Sequence, residues 1–148
     1  MRFAYGRYQV APSPTRPGVT IISRPVIPVR LVGPAGAHVF YGLLDTGADE
    51  TFITQEMADV LGVAIEKDAG YQIMSAGGEM DVRCGAISVQ ISQGKEQYSW
   101  PLTAGIVDRP WREAILGHAG FLEFFDAVFL GAKSQVVLTR NSSALPTE

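Results

Sequence analysis

Asp45, Thr46 and Gly47 are the residues whose types and order offer the clearest chemistry. They follow an apolar run at residues 39–44, which predicts a strand that ends at Asp45. Gly47 has no Cβ, so the backbone can turn sharply there and bring N–H groups close to the Asp45 carboxylate. The Thr46 hydroxyl can bond to a neighbouring main chain and hold the loop. The triplet therefore predicts a rigidly held carboxylate.

Hydrolysis of a peptide bond needs more than the one carboxylate that this loop supplies. One group must take a proton from water, and another must donate a proton to the carbonyl oxygen. The sequence holds no second copy of the Leu-Leu-Asp-Thr-Gly element. A twofold axis through the loop would place the Asp45 carboxylates of two identical chains side by side, where they share one proton. We therefore expect a homodimer that hydrolyses peptides without a metal, a cofactor or a covalent intermediate.

The composition indicates which elements position Asp45. A chain of 148 residues with 47% hydrophobic residues, 16 Gly and 9 Pro is typical of an all-β domain with short strands and many turns. Thr54 as an N-cap and Gly62 as a C-terminal stop predict a helix at residues 55–61, and a second short helix is expected at residues 119–124. Apolar or alternating runs predict strands at residues 21–22, 26–31, 39–44, 71–74, 80–84, 87–91, 98–104, 127–130 and 136–139.

The predicted domain boundaries follow from the distribution of proline and small polar residues. Residues 1–20 contain Pro12, Pro14 and Pro17, which favours an extended Pro-rich N-terminal arm over packed structure. Residues 21–140 form the predicted domain, and residues 141–148 form a flexible C-terminal tail. The sequence leaves open whether the arm is a propeptide, an inhibitory segment or a tether.

Charge and cysteine content exclude several other functions. A net charge of −3, with no Lys/Arg cluster among aromatic residues, argues against a nucleic-acid partner. Cys84 is the only cysteine, and His38 and His118 lie far apart in the sequence, so neither a disulfide nor a metal site is expected. No apolar N-terminal region and no run of about 18 apolar residues occurs, which predicts a cytoplasmic protein without a membrane partner.

Residues 43–51, Leu-Leu-Asp-Thr-Gly-Ala-Asp-Glu-Thr, resemble the active-site loop of retroviral proteases and of their bacterial and eukaryotic relatives. The Gly77-Gly78 pair lies where that family keeps its flap, and residues 114–117, Ala-Ile-Leu-Gly, are similar to the element that precedes the family's helix. The ordered set covers about residues 21–140. The resemblance implies a retropepsin-like fold, which is an all-β closed barrel with one or two short helices and one Asp-Thr-Gly loop in each chain.

The same resemblance implies roles for the residues of the loop. Asp45 would be the catalytic residue of an aspartic endopeptidase, with Thr46 and Gly47 completing the catalytic triplet. Thr46 would form hydrogen bonds between the two subunits. Gly47, Ala48 and Asp49 would line the cleft that binds a peptide or protein substrate.

The resemblance also implies roles for the hairpin and the ends of the domain. The hairpin tip would close over the substrate and contact it through Ala76, Gly77, Gly78 and Glu79. The start of the domain and the strand around Val136 to Leu138 would build a sheet between the two subunits.

One residue departs from the family's pattern. His118 follows the glycine of the Ala-Ile-Leu-Gly element, where retroviral proteases usually have an arginine that pairs with the residue matching Asp49. If His118 takes over this pairing, the brace is strongest at acidic pH, where the imidazole is charged. Arg109 or Arg112 would be the alternative source of positive charge.

Two other functions are compatible with parts of the pattern. The first is a catalytically weak or inactive dimeric module that only binds peptides. The second treats residues 45–47 as a phosphate loop, although such folds need parallel sheets with many long helices, which this sequence lacks. Asp49 could equally serve the loop backbone or the substrate. We expect Trp100 and Trp111 in the core, and Cys84 as a small buried side chain.

Overall fold

The computed structural model describes residues 1–67, 69–75 and 77–146 of the chain. The fold is all-β, as predicted, and its one α-helix within the described residues, α1, spans Gln55–Leu61. Two 3-10 turns lie at Leu122–Phe124 and Gly131–Lys133. The strands are β1 (Arg2–Ala4), β2 (Gly6–Gln9), β3 (Ile21–Arg24), β4 (Val26–Gly33), β5 (Gly36–Leu44), β6 (Phe52–Thr54), β7 (Tyr71–Ser75), β8 (Gly78–Gln93), β9 (Glu96–Val107), β10 (Ala114–Leu116), β11 (Phe125–Leu130) and β12 (Gln135–Arg140).

The main sheet curls back on itself. Its strand order is β4-β5-β10-β6-β9-β8-β7, and β4 also pairs with β8, so that six of the strands form a ring. Alternating side chains point into the ring and bury an apolar core. Fully buried members of that core include Ile27, Leu31, Ile53, Ile106 and Leu116.

Strand β8 runs without a break through a region where the sequence pattern predicts two strands. The ladder to β9 continues at Gly85 and Ala86, which pair with Ala104 and Thr103. Gly85 is needed there because a Cβ on it would overlap the side chain of Val63. The glycine that interrupts the hydrophobic pattern therefore allows close packing instead of ending the strand.

The first predicted helix is confirmed, and the second is confirmed only in part, as the three-residue 3-10 helix Leu122–Phe124. Helix α1 begins after Thr54, whose Oγ1 accepts a hydrogen bond from the Met57 N–H at 3.2 Å, and it ends at Gly62, which has φ 66°. The predicted helix does not extend back to residue 119, because Gly120 has φ +86°, which is not a helical conformation. No helix among the described residues is long and apolar enough to cross a membrane.

The ends of the chain contribute to a second, smaller sheet. Strand β1 pairs with β12, and β12 also pairs with β11, in the order β1-β12-β11. Phe3 of β1 is buried in the main core, and β2 pairs with β3 in a two-stranded ribbon. The separate arm at residues 1–20 and the flexible tail at residues 141–148 remain predictions. Thr147 and Glu148 lie outside the described residues.

The position of β12 corrects one expectation. Val136 and Leu138 are fully buried in the core of their own chain. Both edges of β12 are occupied, one by β1 and the other by β11. The strand around Val136 to Leu138 therefore has no free edge with which to build a sheet between subunits.

Candidate active site

Asp45 lies directly after β5, at the point where β10 is inserted into the sheet. Strand β10 pairs in parallel with β5 and antiparallel with β6, so it separates two strands that are close in sequence. The backbone N–H of Asp45 donates to the carbonyl oxygen of Leu116 at the end of β10, at 3.1 Å. The loop from Asp45 to Thr51 must therefore pass over the end of β10.

The Asp45 carboxylate is held by its own loop. The Gly47 N–H donates to Asp45 Oδ1 at 2.9 Å, and the Ala48 N–H donates to the Asp45 carbonyl oxygen at 3.2 Å. A Cβ on Gly47 would lie 3.3 Å from Oδ1, so glycine permits this close approach. Thr46 is exposed, and its hydroxyl has no hydrogen-bond partner within the described part of the single chain.

The turn after β10 braces the loop through its main chain. The His118 N–H donates to the Ala48 carbonyl at 2.9 Å, and the Ala119 N–H donates to the Asp49 carbonyl at 2.8 Å. Gly117 is required because a Cβ there would overlap the carbonyl oxygen of Glu50. These backbone contacts fix the loop without using any side-chain charge.

The proposed ionic brace is absent from the single chain. His118 and Asp49 are both exposed. Among the described residues, no ion pair joins Asp49 to His118, Arg109 or Arg112. In the single chain, main-chain hydrogen bonds support the loop, and the expected ion pair between His118 and Asp49 does not.

Thr51 provides a second tie between the loop and the same turn. Its side chain is buried, and its Oγ1 donates to the Ala119 carbonyl at 2.9 Å. Its own carbonyl accepts a hydrogen bond from the Gly105 N–H of β9 at 3.1 Å. Thr51 thus fixes the far end of the loop to both the turn and the sheet.

A cleft of about 500 Å³ opens beside the Asp45 carboxylate. Four of the residues predicted for the site line it, namely Asp45, Gly47, Ala48 and Asp49. Of the other predicted residues, Thr46, Gly77, Gly78 and Glu79 are not among the described lining residues, and Ala76 lies outside the described residues. The remaining lining residues are Glu50, Phe52, Ile73, Met74, Ser75, Met80, Trp111 and Ile115.

Several of these lining residues were missed by the sequence pattern. Ile73 and Met80 face each other across the β7–β8 hairpin, and their alternation with exposed neighbours is a signal that could have placed them on an inner face. Trp111 packs against a small apolar cluster but stays half-buried, and it forms part of the cleft wall. Its role depends on the position of the segment before β10, which no local pattern reveals.

The charge in the cleft has one sign. Asp45, Asp49 and Glu50 line it, and no Lys, Arg or His occurs among its described lining residues. The Tyr71 hydroxyl of β7 donates a hydrogen bond to the Glu50 carboxylate. Burial raises the pKa of Tyr71, and the bond to Glu50 raises it further. Glu50 is thereby tied to the base of the hairpin.

The β7–β8 hairpin contributes Ile73, Met74, Ser75 and Met80 to the lining of the cleft. Ser75 pairs with Gly78, and the Ser75 Oγ donates to the Gly78 carbonyl at 2.9 Å. Gly78 has φ +101°, a conformation that favours glycine. Met74 is 75% exposed and still lines the cleft. A strongly exposed apolar side chain at this position is suited to contact a ligand.

Cys84 lies on β8, further from the hairpin tip than Met80. It is half-buried, and its Sγ lies 3.3 Å from the Ala69 carbonyl oxygen, to which the thiol donates. Burial raises the pKa of the thiol, and the carboxylates of Glu66 and Glu50 act in the same direction.

Comparison with known proteins identifies the class of this chain. A family model described as aspartyl protease matches residues 27–118, which span β4 through the Asp45 loop and the hairpin to the turn after β10. The chain belongs to the aspartyl protease family. The resemblance found in the sequence is thus confirmed at the level of the family.

Comparisons with individual proteins give less information on the family than the family model does. One solved structure that matches is the protease of the retrovirus EIAV in complex with an inhibitor, at 26% identity and a TM-score of 0.41. The match covers 64% of this chain and 82% of the viral chain. No curated protein matches the chain significantly. The assignment to the family rests on the family model.

Proposed function

We propose that this chain is one subunit of a homodimeric aspartic endopeptidase in which Asp45 and its symmetry mate activate a water molecule. The observation that supports this most strongly is the Asp45 carboxylate itself. It is oriented by the Gly47 N–H and lies at the edge of a cleft large enough for several side chains. The chain also belongs to the aspartyl protease family.

The proposed chemistry divides the work between two carboxylates. One takes a proton from water, and the protonated partner donates to the carbonyl oxygen of the scissile peptide bond. The described chain supplies one such loop, so the other must come from a second copy. The exposed Thr46 hydroxyl is then available to bond across the interface.

We further propose that substrate lies extended between the loop and the hairpin. Gly47, Ala48 and Asp49 form one side, and the hairpin tip around Gly77, Gly78 and Glu79 closes from above. Closure of the hairpin would exclude bulk water from the reacting atoms and strengthen the electrostatic interactions there. The apolar side chains on the cleft wall favour apolar substrate residues.

The direct test is cleavage of casein between about pH 4 and 7, the range in which a shared-proton carboxylate pair operates. Wild type and Asp45→Asn are compared at matched concentration after sedimentation has shown that both are dimers. Loss of cleavage in the variant is the expected result. Equal cleavage by both proteins would exclude Asp45 as the catalytic residue.

A peptide-binding module without catalysis is the second candidate, and the exposed His118 in place of arginine is the observation that favours it. Under that alternative, the folded wild-type dimer binds extended peptides but cleaves none of them. Isothermal titration with a pool of casein peptides distinguishes the two, because a catalytic dimer consumes the peptides during the titration.

A further inference from the structure

A second cavity, of about 240 Å³, shares Glu50 with the cleft. At about 30 Å³ for each molecule in liquid water, this volume corresponds to roughly eight waters. The other described lining residues are Thr51, Tyr71, Cys84, Leu102, Thr103, Gly105, Ala119 and Gly120. Asp45 is not among the described residues that line it, so the second cavity is separate from the proposed catalytic centre.

Glu50 is the one residue with a full charge at neutral pH among the described lining residues of the second cavity. It is half-buried, and its carboxylate accepts a hydrogen bond from the Tyr71 hydroxyl. Within the described part of the chain, no Lys, Arg or His forms an ion pair with it. An ionised carboxylate has about four lone-pair sites, so one hydroxyl leaves most of its capacity unused. A half-buried anion in this state favours a cationic ligand, because charge-assisted hydrogen bonds are stronger than neutral ones.

The rest of the cavity wall suits an ammonium group on an apolar body. Thr51 is 3% exposed, and its Oγ1 donates to the Ala119 carbonyl, so the oxygen keeps lone pairs that can accept. Leu102 is half-buried and contributes apolar surface. A primary ammonium has three N–H donors and no acceptor. It therefore matches a wall that offers a carboxylate, a hydroxyl oxygen and apolar carbon.

We propose that the second cavity binds a small organic amine in its protonated form, with the ammonium group on Glu50. A divalent metal ion fits the wall less well, because Ca²⁺ and Mg²⁺ take about six or more oxygen ligands and Glu50 is the one carboxylate among the described lining residues. An anion is repelled by the same carboxylate. The proposal is independent of catalysis at Asp45, since binding is measured without any substrate.

The walls of the second cavity belong to the elements that hold the Asp45 loop and to the hairpin. Thr51 and Ala119 bond to each other between the loop and the turn after β10, and Tyr71 belongs to β7. Glu50 also lines the cleft. An ammonium bound to Glu50 therefore reduces the negative charge that the cleft presents.

Cys84 is a reporter for the second cavity. It is the only cysteine in the chain, and it lines the second cavity but is not among the described lining residues of the cleft. The experiment measures the rate at which the Cys84 thiol of the folded protein reacts with dithiodipyridine, an uncharged disulfide, in the presence of benzylamine at neutral pH. A bound amine covers the thiol. At about ten times its dissociation constant, benzylamine is expected to slow the reaction about tenfold, because only the unoccupied protein reacts.

The controls separate charge from shape and from loosening of the hairpin. Benzyl alcohol has the same apolar body without the charge and is expected to leave the rate unchanged. Glu50→Gln removes the carboxylate charge, and we expect it to abolish the protection by benzylamine. Glu56→Gln removes the same charge from an exposed residue of α1 that is not among the described lining residues of either cavity, and it should keep full protection. Tyr71→Phe loses the hydrogen bond to Glu50 but leaves the carboxylate charged, so it should keep the protection too.

The pattern of protection decides whether the site exists. Protection that is lost in Glu50→Gln and kept in Glu56→Gln and Tyr71→Phe supports an amine site at Glu50. Equal protection of wild type and Glu50→Gln overturns it, as does equal protection by benzyl alcohol or its loss in Tyr71→Phe. No protection of wild type at about 10 mM benzylamine also overturns it, since a site with a dissociation constant of about 1 mM would then be mostly occupied. Casein cleavage plays no part in these measurements, so failure of the proposed function leaves the result unchanged.

Discussion

Among single residues, Gly117 occupies the most restricted position in the site. A Cβ there would overlap the Glu50 carbonyl oxygen, and that carbonyl belongs to the loop that holds Asp45. We predict that Gly117→Ala displaces the loop, lowers the free energy of unfolding by about 1–3 kcal/mol and strongly reduces cleavage. Urea unfolding and casein cleavage measure the two effects.

The matched control for that substitution is Gly131→Ala. No atom lies within 4 Å of the position that a Cβ on Gly131 would take. Its effect on the free energy of unfolding should stay within about 0.5 kcal/mol. If both alanine variants unfold at the same urea concentration as wild type, the tight fit assigned to Gly117 is wrong.

The hydrogen bond from Tyr71 to Glu50 predicts a dependence of stability on pH. Because burial and Glu50 raise the pKa of Tyr71 above the ordinary value for tyrosine, the unfolded chain ionises first as pH rises. The stabilisation is therefore complete below about pH 10 and is lost as pH rises through the raised pKa. Melting temperatures of wild type should fall more steeply above about pH 10 than those of Tyr71→Phe. If the melting temperatures of the two proteins fall equally with pH, the hydrogen bond from Tyr71 to Glu50 does not contribute to stability in this way.

Asp45 and its immediate neighbours could be placed from sequence because the information is local. An apolar run followed by Asp-Thr-Gly predicts a carboxylate at a strand end, and Asp45 does lie directly after β5. Glu50 and Trp111 could not be placed in this way. They reach the cleft because β10 is inserted between β5 and β6, and that arrangement depends on contacts that are distant in sequence.

At the scale of secondary-structure elements, the packing of β1 bears on whether residues 1–20 are part of the folded domain or form a separate arm. Phe3 is 6% exposed and packs in the main core. We predict that Phe3→Ala lowers the free energy of unfolding by about 3 kcal/mol, in a single cooperative transition. Chemical denaturation followed by tryptophan fluorescence, which reports on Trp100 in the same core, measures this change.

Ile21→Ala is the control for the loss of a large side chain, because Ile21 is 50% exposed on β3. It should change stability by less than about 1 kcal/mol. Should Phe3→Ala unfold like wild type, residues 1–20 would instead form the independent arm that their proline content predicts.

Helix α1 and the 119–124 turn show what sequence can specify for an element. Helix α1 was predictable to the residue because both of its ends are set by local capping, at Thr54 and Gly62. The start of the 119–124 segment was not, since Gly120 takes a positive φ and is held by one long-range and one local hydrogen bond. Its carbonyl accepts the buried Trp100 Nε1–H at 2.9 Å, and its N–H donates to Glu123 at 2.6 Å.

At the scale of the whole molecule, the proposed function needs two chains for each active site. The all-β class followed from composition and pattern, but the pairing of the terminal strands did not. The terminal strand β12 looked suitable in sequence, yet it is paired on both edges. Pairing partners in a sheet are set by non-local contacts, so the occupation of both edges of β12 is visible only in the fold.

The most direct measurement of this central claim is cleavage by mixtures of wild type and Asp45→Asn after subunit exchange. Total concentration is held where both proteins are fully dimeric, and the fraction of wild type is varied. In an equal mixture, half of the wild-type chains pair with a variant chain and lack one carboxylate. Cleavage per wild-type chain is then expected to fall to about half of its value in the pure protein. Cleavage per wild-type chain that stays constant across the mixtures would contradict it, because each chain would then carry a complete site.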